Sequence, residues 1–529
     1  MNRRVIGVVT AAATLLSLLF GGCGAAQSQE VRMDLSGPVN SLDPQFVTDP
    51  VGRMLVQNTF TGLMRRDNGG QLVCAGAESY TVSGDGLRYT FVLRKDMGWS
   101  NGDPVVAADY HFALTRLFNS QVPSPYAGEY LSIQNAAQVL AGTLPQSALG
   151  VRAPDDYTLE ITLGQPSPVF LERLAEPAAM PCQEEFFAST RARYGLAKEY
   201  TIFSGPYQVR QWNNDKSLVL SPNQHYPEEQ RPACPSVVLY TTRLTGEDTG
   251  PDTQLQLFVQ DKSDVCPVTA QQLETVTAEG VTSFQLENRV WQLAVNTAHS
   301  SLQNLSLRRG LFHSLDSGGY RERAPAMYGL AESIIPQSAQ MEGLVAPDLP
   351  AYNRQWAVDY WNDGMAQLET DKITGLTLLL PQEAKLETLG AYLQRQWRDN
   401  LGVYVNLESV DGVTFERRLR SGDYTLALRP GDGVGQGPSG LLDRFLADSA
   451  DNLSGWSSPD YDLLLEQAAQ AVTPREAARL YSQAEQLLID NGVVLPILTQ
   501  SSYYLFSKGT SGVTLAGGRL DFSKAFRID

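Results

Sequence analysis

The chain has 529 residues, 43% of them hydrophobic and 19% charged, and its formal net charge is −17; losing Arg3 and Arg4 with a cleaved leader takes it two units lower, to −19. That balance excludes gripping nucleic acid or an anionic bilayer through charge. The length leaves room for two or three hydrophobic cores, and no second long apolar run follows the first thirty residues.

The chain opens with Arg3 and Arg4, an apolar run from Val5 to Phe20, and then Gly21-Gly22-Cys23. A basic start, a short apolar core and small residues before a cysteine predict an export leader over 1–22, with Cys23 lipidated and 23–30 as a tether. The apolar run is shorter than the roughly 20 residues of a spanning helix. The predicted location is therefore the outer face of the cytoplasmic membrane, at the cell surface or in a periplasm, with the lipid as the only membrane attachment.

Further along, Tyr89 to Arg94 and Asp156 to Leu163 alternate in polarity and are rich in β-branched and aromatic residues, which predicts half-buried strands. Val106 to Phe118 and Asn135 to Leu140 carry helical spacing between them, so this region reads as a compact α+β unit. Later, Leu376 to Leu380 precedes a helical run with Leu386, Leu389, Leu393 and Trp397 on one face; Gly402 stops it, and Val403 to Leu407 follows as a strand. That order is the pattern of a parallel βαβ crossover. Thr473-Pro474-Arg475-Glu476 is the start signal of a last helix through Leu480, Ala484, Leu487 and Leu488, stopped by Asn491-Gly492. The second half is thus α/β.

Four cysteines remain after Cys23: Cys74, Cys182, Cys234 and Cys266. An even number in an exported chain permits two disulfides; sequential pairing, Cys74 with Cys182 and Cys234 with Cys266, is preferred, and four free thiols are the other outcome. The four histidines are scattered singly and no CxxC occurs, so no metal or cofactor is expected. No P-loop, H-E-x-x-H or G-x-S-x-G motif is present, which argues against an enzyme. Gly435-Gln-Gly437-Pro-Ser-Gly440 fits G-x-G-x-x-G, between a strand-like Tyr424 to Arg429 and a helix-like Leu441 to Leu446. Pro438 inside the turn, and the polar loop Asp451 to Pro459 in place of a second strand, set the dinucleotide reading aside. What remains is a glycine-rich loop that offers backbone groups to a ligand, or a surface loop.

Ser41-Leu-Asp-Pro44, Phe60-Thr-Gly-Leu63, Ala77-Glu-Ser79, Trp99 to Val105, Ala108-Asp109, Ser124-Pro-Tyr-Ala127, Leu149-Gly-Val151, Pro166-Ser-Pro168, Gly205-Pro-Tyr207, Asn296, Gly455 to Pro459 and Leu495-Pro496 run in an order that strongly resembles family 5 of the extracellular solute-binding proteins, most of all its oligopeptide-binding branch. The resemblance covers nearly the whole mature chain. It implies an α/β, two-lobed fold like that of periplasmic binding proteins, with an extra inserted α+β domain and a ligand cleft between the lobes. It also implies a discontinuous lobe I of 31–66, 191–289 and 496–529, an inserted domain of 67–190, and a lobe II of 290–495. Lobes joined by crossing strands can close on a ligand by a hinge.

The same resemblance implies a monomer that captures a short peptide or similar small solute and hands it to the permease subunits of an ABC importer. Thr48 and Pro50 fall at cleft-lining positions, Tyr126 matches a ligand-contacting tyrosine, and Trp291 is a candidate cleft aromatic. The likeness breaks over Arg429 to Pro438. Where the peptide-binding branch has a Trp and an acid for the peptide's ammonium group, this chain has Gly431 and Val434. Asp432 is the candidate replacement, and Arg429 at the start of this segment is a further candidate ligand-binding residue. If Asp432 does not serve, a solute without a free amino group is expected, because a buried ammonium without a partner costs several kcal/mol. A surface sensor or adhesin that has lost transport is the remaining alternative.

Overall fold

The computed structural model describes residues 29–528, apart from 36–37, 68–70, 168, 215, 242–250, 277–279, 326–327, 433–436 and 450. The leader, Cys23, Val434 and the first two residues of the glycine motif lie outside the described residues.

The early α+β region is a four-stranded antiparallel sheet in the order Ala77–Val82, Arg88–Leu93, Thr158–Thr162, Val151–Asp155. Alternation decides which way it faces: Tyr89, Phe91 and Leu93 are buried while Arg88 and Val92 are exposed, as a strand with one solvated face requires. The helix Ala107–Leu117 packs against this sheet. Under the turn that enters the helix Trp99 is fully buried, and its Nε1 donates to Asp109 Oδ2 at 2.9 Å. Burial pushes the Asp109 carboxyl up to about 6, against the pull of the Val106 N–H and the indole.

An eleven-stranded mixed sheet forms the body of the molecule. At one end Leu376–Pro381 runs parallel to both Val405–Val410 and Leu426–Asp432, with the helix Glu387–Leu401 in the crossover. This is the predicted βαβ unit. Leu386, Leu389, Leu393 and Trp397 are all fully buried against Leu376, Leu378 and Leu380, and Gly402 ends the helix at φ +68°, a conformation that suits glycine. At the other end Val31–Asp34 lies parallel to Val237–Tyr240 and Val265–Val268, with Ser217–Pro222 and Tyr207–Asn213 beyond.

Two long antiparallel strands, Thr282–Val295 and Val494–Phe506, join the two ends. The first also pairs with Leu426–Asp432, the second with Val265–Val268, so together they cross from lobe to lobe. Register shifts at Glu287/Arg289 and Trp291/Gln292 bend the pair, the local effect of a bulge. Each lobe has its own core; that of lobe I is continuous with the inserted sheet. The two-lobed periplasmic-binding-protein-like fold with an inserted α+β unit is the fold of this chain.

Lobe II is completed by the helices Pro459–Gln470 and Pro474–Asp490, each begun by a hydroxyl cap and a proline. Ser458 accepts the Tyr461 N–H at 3.3 Å, and Thr473 accepts the Glu476 N–H at 3.2 Å. After the glycine motif the helix is Pro438–Leu442 with a 3₁₀ turn Asp443–Phe445, earlier than the Leu441 start read from sequence, because Pro438 occupies the first helical turn.

The preferred disulfide pairing is wrong: Cys74, Cys182, Cys234 and Cys266 are all free. The expected partners sit in separate side-chain clusters, Cys182 apart from Cys74 and Cys266 apart from Cys234. Cys182 lies against the Arg116 guanidinium at 3.4 Å, and Cys234 donates to the Ser236 carbonyl at 3.1 Å. Burial pushes the thiols of Cys182 and Cys266 up to about 12, which makes them poor nucleophiles.

Candidate functional site

On the lobe I side, Asp49 caps the helix Pro50–Thr59 by accepting the Gly52 N–H at 2.7 Å, and Pro50 takes the first helical position. Thr48 and Pro50 are both exposed at this helix start. Tyr126 is brought to the same place: its hydroxyl donates to the Val47 carbonyl at 2.5 Å, and the Arg53 guanidinium lies 5.3 Å from its ring centroid. Ser124 ties down the same loop by donating to the Gln45 carbonyl at 2.5 Å. Thr48 and Pro50 therefore lie close to the loop that carries Tyr126, whose hydroxyl is already occupied by backbone.

On the lobe II side, Trp291 packs in the core, 4% exposed, with Nε1 donating to Gln500 Oε1 at 2.8 Å and its ring edge-on to Tyr328 at 6.2 Å. Arg429 is different. It is 7% exposed, its guanidinium lies 5.6 Å from the Phe445 ring centroid, and it makes no hydrogen bond or ion pair with a described residue. Burial pushes its pKa down, with Tyr424 pulling the other way. Gln292, its cross-strand partner, is 3% exposed and shows the same deficiency: Oε1 is buried without a partner. Paired residues of neighbouring strands share a face, so a donor and an acceptor without partners stand side by side.

Gly431 makes that placement feasible, because a Cβ there would run into the Gln292 amide. Asp432 ends the strand opposite Arg289. Sequence reasoning missed Gln292, whose only signal was its register opposite Arg429. It also missed Ser338, on the Gln337–Ala339 turn that packs on the first crossing strand, whose hydroxyl is likewise buried without a partner.

Between the lobes a narrow crevice is lined by Arg66, Glu172, Arg173, Ser338, Gly437 and Ser439 among others. Its charged wall is neutralised internally: Arg66 pairs with Glu172 at 3.0 Å, and Glu176 holds both Arg53 at 2.8 Å and Arg519 at 3.0 Å. Burial pushes Glu176 up, but Arg519 and Arg53 outweigh it and leave its pKa lowered. No cluster of His, Cys, Asp and Glu among the described residues could hold a metal, and no described helix is long and apolar enough to cross a membrane. Of the unmatched polar groups Ser338 lines this crevice; Thr48, Pro50, Tyr126, Trp291, Arg429 and Gln292 are not among its lining residues.

Fold and crevice together define a two-lobed solute-binding protein. The model of the bacterial extracellular solute-binding proteins, family 5, matches residues 71–452, and the chain belongs to that family. It is 26% identical over 524 residues, 97% of this chain and 95% of the relative, to the probable deoxycholate-binding periplasmic protein YgiS of Escherichia coli. To the oligopeptide-binding protein OppA of Bacillus subtilis it is 25% identical over 533 residues, covering 96% of each chain. Among solved structures it superposes with a TM-score of 0.78 on the unliganded open form of the periplasmic murein tripeptide binding protein MppA, at 21% identity over 96% of this chain and 99% of that one. Peptide-bound OppA of Listeria monocytogenes gives a TM-score of 0.66 at 23% identity, over 95% of this chain and 99% of that one.

Proposed function

We propose that this solute-binding protein captures a short peptide or a similar small solute in the crevice and delivers it to the permease of an ABC importer. It does so as a monomer without enzymatic turnover, held to the outer face of the cytoplasmic membrane by a lipid on Cys23. Lobe I comprises 31–66, 191–289 and 496–529, the inserted domain 67–190, and lobe II 290–495, with hinge motion at the two crossing strands. Thr48 and Pro50 of lobe I with Tyr126 of the inserted domain form one contact edge, and Arg429 with Gln292 the lobe II contacts.

The observation that carries this reading is the buried Arg429 side chain, which has no hydrogen bond or ion pair with a described residue and whose Nε is buried without a partner, across the strand pair from Gln292, whose Oε1 is also buried without one. A cation held out of water without a partner is costly, and an anionic ligand group, such as a peptide carboxylate, removes that cost. The absence of an acid at Val434 favours a second reading, an acidic solute with no free amino group. The relative named as probably deoxycholate-binding supports it, since deoxycholate is a carboxylate without an amine.

Native mass spectrometry of the purified protein, followed by thermal shift with free peptides, amino-blocked peptides and deoxycholate, tests both. A bound ligand raises the melting temperature by mass action. Stabilisation by free peptides supports Asp432 as the ammonium partner, and stabilisation only by blocked peptides or deoxycholate supports the second reading. No shift with any peptide, free or blocked, refutes peptide binding.

A further inference from the structure

A cavity of about 500 Å³ adjoins the crevice, sharing Arg66, Glu176 and Gly517 with it, between the end of the helix Pro50–Thr59, the strand Met64–Arg66, the 226–233 loop and the C-terminal hairpin of Thr514–Ala516 and Arg519–Asp521. That volume is in the range of small-molecule sites. Glu176, clamped between Arg53 and Arg519, stands at the boundary with the crevice and lines both spaces.

The walls divide into two kinds. Ala175 and Ala233 supply accessible apolar surface, backed by the buried Phe60, Met64 and Met180. Arg65, Arg231 and Lys524 supply charge, and none of the three pairs with a carboxylate among the described residues. Arg231 is fixed by its own donors: Nη2 reaches the carbonyls of Gln224 at 2.8 Å and Tyr226 at 3.1 Å, while Nε is buried without a partner. With Glu176 committed to Arg53 and Arg519, and Arg66 to Glu172, the uncommitted carboxylates are Glu229 and Asp521, so cations exceed them. A cation excess around a cavity runs against a chain whose net charge is −17.

We propose that this cavity is a second binding site, beside the crevice, for a small organic anion whose charged end meets Arg65, Arg231 and Lys524 while its apolar part lies against Ala175, Ala233 and the aliphatic stems of the lining side chains. Charged rim and apolar contact together select an amphipathic anion over both a neutral apolar molecule and inorganic phosphate. Arg429 does not line the site.

The test is calorimetric titration of the full mature protein with 1-naphthoate, with its uncharged counterpart naphthalene-1-methanol, and with inorganic phosphate. Naphthoate is expected to bind saturably, and the alcohol and phosphate about tenfold more weakly or worse. Arg65→Glu and Lys524→Glu, which break no ion pair, are each expected to weaken naphthoate about tenfold at unchanged melting temperature. Arg429→Gln, in lobe II and outside the cavity lining, should leave naphthoate affinity within about twofold. The proposal is overturned by no saturable naphthoate binding, by equal affinity for the alcohol, by charge reversals without effect, or by loss of binding in Arg429→Gln alone.

Discussion

Glu485 offers a pH test of how lobe II holds the turn that faces the crevice. Its carboxyl is 1% exposed on the helix Pro474–Asp490, and Oε1 accepts from Ser333 Oγ at 2.8 Å and from the Ile334 N–H at 2.6 Å. No cation among the described residues pairs with it, and burial pushes its pKa from an ordinary 4.5 up to about 7. Between those values the native state keeps a proton that the unfolded chain has released. Stability therefore falls as pH rises from about 4.5 and levels off above about 7. A shift of that size corresponds to about 3 kcal/mol lost across the window. Glu485→Gln keeps an acceptor for Ile334 and carries no charge; its amide nitrogen lacks an acceptor, at a cost of about 1 kcal/mol. The variant should be about 2 kcal/mol more stable than wild type near pH 8 and slightly less stable near pH 4.5. Urea unfolding of both proteins across that range reads the difference directly. A difference that does not change with pH, or a variant less stable near pH 8, refutes the reasoning.

Arg429→Gln removes the unpaired cation and should weaken the crevice ligand about ten- to a hundredfold by calorimetry, with melting temperature unchanged or raised. Glu176→Gln leaves Arg53 and Arg519 facing each other without their shared carboxylate, and should cost about 3 kcal/mol in urea unfolding. Because all four described thiols are free, dithiothreitol should leave the melting temperature unchanged, and Ellman titration should count four thiols only after denaturation, with partly exposed Cys74 reacting first in the native state. Cys23→Ala should move the protein from the membrane fraction to the soluble one without altering ligand-induced stabilisation.

Much of the fold was legible because its signals are local. The 89–94 alternation, the helical spacing through Trp397 and the hydroxyl-proline start at Thr473 each report a side-chain period or a cap, and each element formed where expected. The crossing strands were not legible as a pair. Their register depends on residues two hundred positions apart, such as Trp291 opposite Leu498, and no local pattern encodes it. The cysteine pairing failed for the same reason: an even count says nothing about which cluster encloses each thiol.

The site was legible only in part, and Gly431 shows why. Set against the family pattern, this glycine reads as the loss of a tryptophan. In the folded chain a Cβ at 431 would run into the Gln292 amide, the free end of a side chain that must shift to admit it. The amide stands on the same face as Arg429, with its oxygen unmatched. One strand read alone therefore shows only a missing ring; the cross-strand register is what shows that the Gln292 amide stands where a side chain at 431 would begin, and a register between positions 292 and 429 has no local signal in the sequence.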